Sequence, residues 1–174
     1  AMKVLITGGA GFIGSHTADE LLRKGHQVKV FDNLSPQVHG ENAEIPGYLS
    51  KDVEFIKGDI RNRDALKKAL KGIEAVYHLA AAVGVGQSMY DIFHYVDSNS
   101  LGGAVLLDIL ANENHIVEKV IVASSMSVYG EGQYRFKRQW GAEPVPVQQH
   151  SFAYDTAEEK WSETESGGYD PKLA

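Results

Sequence analysis

Three glycines spaced three apart, Gly8, Gly11 and Gly14, separate a short apolar run from a helical one. This order restricts the chain more than any other feature. Residues 3–7 (KVLIT) are β-branched or apolar and stop at Gly8-Gly9, which reads as a buried strand. Phe12, Ile13, Ala18, Leu21 and Leu22 then recur at helical spacing until Gly25 supplies a stop. Strand, glycine turn and helix in that order make a cradle for an anion. Gly8 permits the tight turn, Gly11 lets the backbone approach a pyrophosphate, and Gly14 allows the helix to pack closely on the strand. The amides at the helix start face the phosphates, and the helix dipole adds to the attraction.

Asp32 sharpens the pattern. It lies eighteen residues after Gly14, at the carboxyl end of a second strand at 27–32 (QVKVFD). A carboxylate there accepts the two ribose hydroxyls of an adenosine and repels a 2′-phosphate, so NAD is expected in preference to NADP. The alternative for Asp32 alone is a turn-capping role before Asn33. Asp59 ends a third strand (53–59), and Leu79-Ala80-Ala81 ends a fourth (74–80) with small side chains that leave room for a flat ring and a pyrophosphate. Ligands of open α/β sheets bind at such carboxyl ends.

The remaining elements complete one architecture. Residues 33–50 carry Pro36, Gly40, Pro46 and Gly47 and read as a long loop. A short helix is expected at 64–70 and a longer one at 93–112, with Leu101, Val105, Leu106 and Ile109 on one face. A fifth strand follows at 119–124. Strands alternating with helices, joined by connections too long for hairpins, require parallel pairing and predict a doubly wound α/β sheet with right-handed crossovers.

Composition removes other classes. With 174 residues the chain suits one domain, and with no cysteine it excludes disulfide scaffolds, thiolate zinc sites and thiol catalysis. A net charge of −6 argues against nucleic acid or an acidic membrane as partner. The seven histidines are scattered, so no metal site is expected, and His78 reads as a packed strand residue. No leader or spanning segment is visible, which predicts a soluble, cytoplasmic protein, and Ala1 before Met2 reads as an addition ahead of the natural start.

The texture changes after Gly130. Residues 131–150 show no clean period, and Pro144 and Pro146 forbid a regular helix there. The last 24 residues hold six acids against two lysines; an acidic helix is expected from Asp155 to Glu165, with a turn or frayed end beyond. The expected division is therefore a dinucleotide-binding domain at 1–130 and a divergent or truncated remainder at 131–174.

Six motifs in order resemble the extended short-chain dehydrogenase/reductase family, and within it the nucleotide-sugar epimerases and dehydratases. They are TGGAGFIG (7–14), DNLS (32–35), GDI (58–60), HLAA (78–81), Asn99 with Gly102, and SSMSVYG (124–130), spread over about 130 residues. DNLS, VGVGQSM (83–89) and the SVYG ending look most like sugar-nucleotide 4-epimerases. The resemblance implies a Rossmann fold, bound NAD, a nucleotide-sugar substrate and a homodimer built through the helix at 93–112. It implies that Phe12 and Ile13 lie against the pyrophosphate. Asp32 and Asn33 come near the adenosine ribose, Leu34 and Ser35 of the same motif also bind the cofactor, and Asp59 and Ile60 lie beside the adenine. Leu79, Ala80, Ala81 and Val83 line the dinucleotide, and Asn99 shapes its floor. Ser125 matches the residue that hydrogen-bonds the sugar hydroxyl being oxidised. A tyrosine base, its pKa lowered by a lysine, takes that hydroxyl's proton and leaves a transient 4-keto sugar.

Two departures stand out. The family base is a tyrosine with a lysine four residues later, and none of the eight tyrosines here has one. Tyr154, 25 residues past Tyr129, falls where that tyrosine belongs, but Glu158 occupies the +4 position. Lys160 is six residues on, about 600° around a helix, and so on another face. A glutamate beside a phenol raises its pKa. The family's chains also run to some three hundred residues, the later part holding the nucleotide-sugar. A fragment of a longer enzyme and a shortened chain both fit. Three functions follow in order: the cofactor-binding part of an NAD-dependent epimerase or dehydratase, a non-catalytic NAD module or sensor, and a reductase of a non-sugar carbonyl.

Overall fold

The computed structural model describes residues 1–125 and the backbone of two further strands, 151–155 and 160–164. Residues 1–123 form one compact unit and 124–174 a second. In the first, β1 (Lys3–Thr7), β2 (Gln27–Asp32), β3 (Glu54–Lys57), β4 (Ala75–His78) and β5 (Lys119–Val122) form a wholly parallel sheet in the order β3-β2-β1-β4-β5. The order reverses direction between β1 and β4, and this is the crevice where such sheets bind ligands.

Burial explains why β1 is central. Val4, Leu5, Ile6 and Thr7 are all buried, as a strand covered on both faces requires. Alternate residues feed two cores. Val4, Ile6, Val28, Val30 and Ala75 pack with Ala18 of α1 (Phe12–Arg23) and with Leu49 on one face. Leu5, Phe31 and Val76 pack with Leu66 of α3 (Arg63–Ala69) and Leu106 and Ile109 of α6 (Gly102–Asn112) on the other. Helices on both faces make the sheet doubly wound, as the alternating sequence predicts.

Local signals set the helix ends. Beyond Arg23, Gly25 has φ +80, its amide bonds the Leu22 carbonyl, and the His26 amide bonds that of Leu21. This is a Schellman stop. Asn62 caps α3 by accepting from the Ala65 amide at 3.1 Å.

Four elements differ from expectation. The loop at 33–50 contains a helical turn, α2 (Pro36–His39), with Pro36 in its first position. A second turn, α4 (Val85–Ser88), follows β4. The helix expected at 93–112 is a continuous run in which α5 (Ile92–Tyr95) passes through a π-helical segment (Val96–Leu101) into α6. The acidic helix expected at 155–165 is overturned. Residues Ser151–Asp155 (β6) and Lys160–Thr164 (β7) pair antiparallel, with Tyr154 opposite Trp161. Aromatic and threonine residues favour a pleated strand over a helix, and here they outweigh the run of acids. The irregular stretch read at 131–150 lies outside the described residues. No helix among the described residues is long and apolar enough to cross a membrane.

Candidate functional site

The crevice begins at the end of β1. Gly8 has φ +70, and a Cβ on it would come within 2.7–2.9 Å of the Leu79-Ala80 backbone. Only glycine fits, because both the dihedral and the approach of β4 demand it. Gly14 meets the glycine turn itself: a Cβ there would lie 2.4 Å from the Gly8 carbonyl and 2.5 Å from the Gly9 Cα. Gly11 is different, since its nearest neighbour is the Gly8 carbonyl at 3.4 Å. Internal packing therefore leaves the space in front of Gly11 open, as a pyrophosphate would need. Gly11 caps α1 without a side chain, and the amides of Phe12, Ile13 and Gly14 have no partner among the described residues. Phe12 and Ile13 are exposed beside them, and α1 has no acid in its first turn. These orphan donors and the helix dipole suit an anion.

Asp32 ties this loop to the next. Its Oδ2 accepts from the Ala10 amide at 3.0 Å and its Oδ1 from the Leu34 amide at 2.9 Å, while the residue is 8% exposed. The turn-capping role and a place at the crevice therefore coexist, and about two of the four lone-pair sites of the carboxylate stay unused. Leu34 takes φ +53 to reach Asp32, and its side chain is buried. Ser35 is half-buried at the start of α2.

Beyond the ends of β2 and β3 lies a charged cluster. Asn33 Nδ2 donates to Asp59 Oδ2 at 3.4 Å, and Arg61 donates to both Asp59 oxygens from Nε at 2.8 Å and Nη2 at 2.5 Å. Arg61 Nη1 also binds Asp97, in the π-helical segment. The Arg61 guanidinium holds the Asp59 carboxyl down at about 2 against burial, which works in the other direction. Ile60 turns its side chain into the core against Gly102, so only its main chain borders the crevice.

Opposite, Thr7 joins β1 to β4. Its Oγ1 lies 2.8 Å from His78 Nδ1 and accepts from the Ala80 amide at 3.3 Å, and the Leu79 amide bonds its carbonyl. Burial lowers the pKa of His78, which favours a neutral ring able to accept at Nδ1. Leu79 and Ala80 are half-buried, and Ala81 and Val83 exposed. Asn99 clamps Ala82, accepting from its amide at 2.8 Å and donating to its carbonyl at 3.0 Å.

Several participants carry no readable signal in the sequence. Tyr48, inside the Pro/Gly-rich loop, donates its hydroxyl to the Ala10 carbonyl at 2.6 Å. Thr7 and Gly9 lie inside the first recognised motif and Arg61 directly follows GDI (58–60), but only the fold shows what they hold. Ser125 belongs to the second unit, and Tyr154 stands on β6. Among the described residues no three His, Asp or Glu side chains gather as metal ligands.

A parallel 3-2-1-4-5 sheet, an open glycine-capped helix start and an acid ending the second strand define a dinucleotide-binding Rossmann domain. The family model of NAD dependent epimerases/dehydratases matches residues 4–158. The chain belongs to this family, whose cofactor is NAD, and carries its cofactor-binding part. It is 38% identical over 131 residues to a UDP-glucose 4-epimerase of Neisseria meningitidis serogroup C, covering 74% of this chain and 38% of that one. A Klebsiella pneumoniae UDP-glucose 4-epimerase sequence is 39% identical over 132 residues, covering 75% of this chain and 94% of its own length. Among solved structures, the UDP-glucose 4-epimerase of Stenotrophomonas maltophila with bound NAD and formylated UDP-arabinopyranose aligns with TM-score 0.65 and 34% identity. That alignment covers 76% of this chain and 39% of the other. The Thermus thermophilus enzyme in complex with NAD aligns with TM-score 0.62 and 33% identity, over 85% and 45%. The chain thus spans about two-fifths of the Neisseria relative.

Proposed function

We propose that the chain is the cofactor-binding part of an NAD-dependent nucleotide-sugar 4-epimerase acting on UDP-hexoses. The observation that carries this reading is Asp32, which braces the glycine loop through Ala10 and keeps lone pairs for ribose hydroxyls beside an open helix start. The amides of Phe12, Ile13 and Gly14 hold the pyrophosphate, Asn33 and Asp59 face the adenosine, and Leu79–Ala81 with Val83 line the remainder. NAD, when bound, supplies a reversible hydride acceptor. Ser125 hydrogen-bonds the sugar 4-hydroxyl, and Tyr154 accepts its proton and returns it. Uptake and return of the C4 hydride by bound NAD balances the proton held by Tyr154 and leaves no net oxidation of the sugar. A homodimer and a cytoplasmic location belong to the same reading. The exposed Ile92, Phe93, Val96 and Leu107 supply an apolar face for the second copy, testable by light scattering.

Calorimetric titration tests the cofactor step: Asp32→Ala should weaken NAD about 100-fold, the loss of hydrogen bonds to a charged group. Unchanged affinity would sink the assignment. A second reading, a non-catalytic NAD module, draws on two observations. Tyr154 sits on a strand, and no tyrosine has a lysine at +4. Turnover of UDP-galactose that disappears in Tyr154→Phe supports catalysis; NAD binding without turnover supports the module.

A further inference from the structure

The sheet order puts β1 between β2 and β4, so the loops leaving β2 and β4 stand on either side of the glycine loop leaving β1. Two side chains join them across it. Gln37, on α2 after β2, donates from Nε2 to Gln87 Oε1, on α4 after β4, at 2.7 Å. The same nitrogen lies 3.5 Å from the Val83 carbonyl. Gln87 Oε1 also accepts from the Tyr95 hydroxyl at 3.0 Å. That hydroxyl sits against Gly84, where a Cβ would come within 2.6 Å of it and where φ is +149. Neither α2 nor α4 buries a residue, so core packing does not account for the contact between them.

We infer that the Gln37–Gln87 pair, positioned by Tyr95, is a latch that closes across the carboxyl end of β1 over the pyrophosphate of a bound dinucleotide. This rests on the cofactor reading above. One neutral, exposed hydrogen bond contributes little net free energy, so the latch opens thermally and governs exchange of the cofactor more than its affinity. Gly84 supplies the backbone conformation that brings the β4 lip under the tyrosine, which no other residue adopts without strain.

Stopped-flow fluorescence of NADH on the full chain reads the latch directly. Gln37→Ala and Gln87→Ala should each speed both binding and release of NADH, by about tenfold. The double variant should be no faster than either single one, because both remove the same contact. Tyr95→Phe should have a smaller effect in the same direction. The chain has no native cysteine, so Gln37→Cys with Gln87→Cys can be bridged by a short bis-maleimide without competing thiols. Bridging before loading should block entry, and bridging after loading should trap NADH. A bridged chain that exchanges NADH as fast as the unbridged one overturns the latch alone. An unsubstituted chain that binds no NADH overturns the cofactor reading and the latch with it.

Discussion

Asp59 shows how one neighbour sets a residue's behaviour. Arg61 grips both carboxylate oxygens and reaches on to Asp97, which links the end of β3 to the helical run at 92–112. The carboxyl's pKa falls from its ordinary 3.8 to about 2. Its contribution to stability is therefore complete above about pH 4 and is lost as pH falls from there toward 2. Thermal unfolding scanned against pH should show that loss in the wild type and a flatter profile in Arg61→Ala. The pair still reaches solvent, with side chains 28% and 36% exposed, so the difference will be small and will shrink in salt. His78 is shifted downward by burial from 6.5, so its contribution is complete above that pH and declines as acid protonates the ring. Gly8→Ala should cost about 3 kcal/mol, because it combines a left-handed dihedral with overlap on the Ala80 backbone. Urea denaturation would measure it, and a loss under 1 kcal/mol would contradict the close approach of β1 and β4.

Among the elements, the π-helical segment does the least predictable work. An α-helix repeats every 3.6 residues, and the apolar spacing at 101–109 reports α6 well. The added turn at Val96–Leu101 changes the phase upstream, and within it Asn99 makes two hydrogen bonds to Ala82. Such segments often mark functional positions. Replacing Asn99 with Ala removes both bonds from Ala82, in the loop that follows β4 along the crevice. The expected result is a loss of about 1–2 kcal/mol of stability and roughly tenfold weaker NAD binding. Calorimetry with matched denaturation curves separates the two, and an Asn99→Ala chain that binds NAD normally would release Ala82 from the site. The strand pair β6–β7 makes a different point: acids at 155–165 favour a solvated helix on composition, yet register with the facing strand prevails.

On the scale of the whole molecule, the site belongs to the first unit while Ser125 and Tyr154 belong to the second. Cofactor binding can therefore be measured apart from the chemistry proposed for Ser125 and Tyr154. NAD at about 100 times its dissociation constant should add about 2.7 kcal/mol to the first unit, raising its melting temperature by roughly 10 °C. NADP should do far less, because its 2′-phosphate meets the Asp32 carboxylate. Equal shifts from the two nucleotides would remove Asp32 from the ribose site. Hydrogen exchange should slow at the ends of β1, β2 and β4, the three strands that border the crevice.

What could be read from the sequence alone follows from periodicity and from glycine. Alternating strands and helices settle a parallel sheet, and Gly8, Gly11, Gly14 and Asp32 mark the crevice, because each answers to a local requirement of backbone or charge. The contacts that complete the site join residues far apart in the chain: Tyr48 to Ala10, Arg61 to Asp97, Asn99 to Ala82 and Gln37 to Gln87. None of these partners announces itself by spacing, since a hydrogen bond across a crevice depends on where two loops end and carries no period along the chain. The same reason separates the two roles of Asp32. Its place at the end of β2 is local, but its grip on Ala10 exists only once β2 lies against β1.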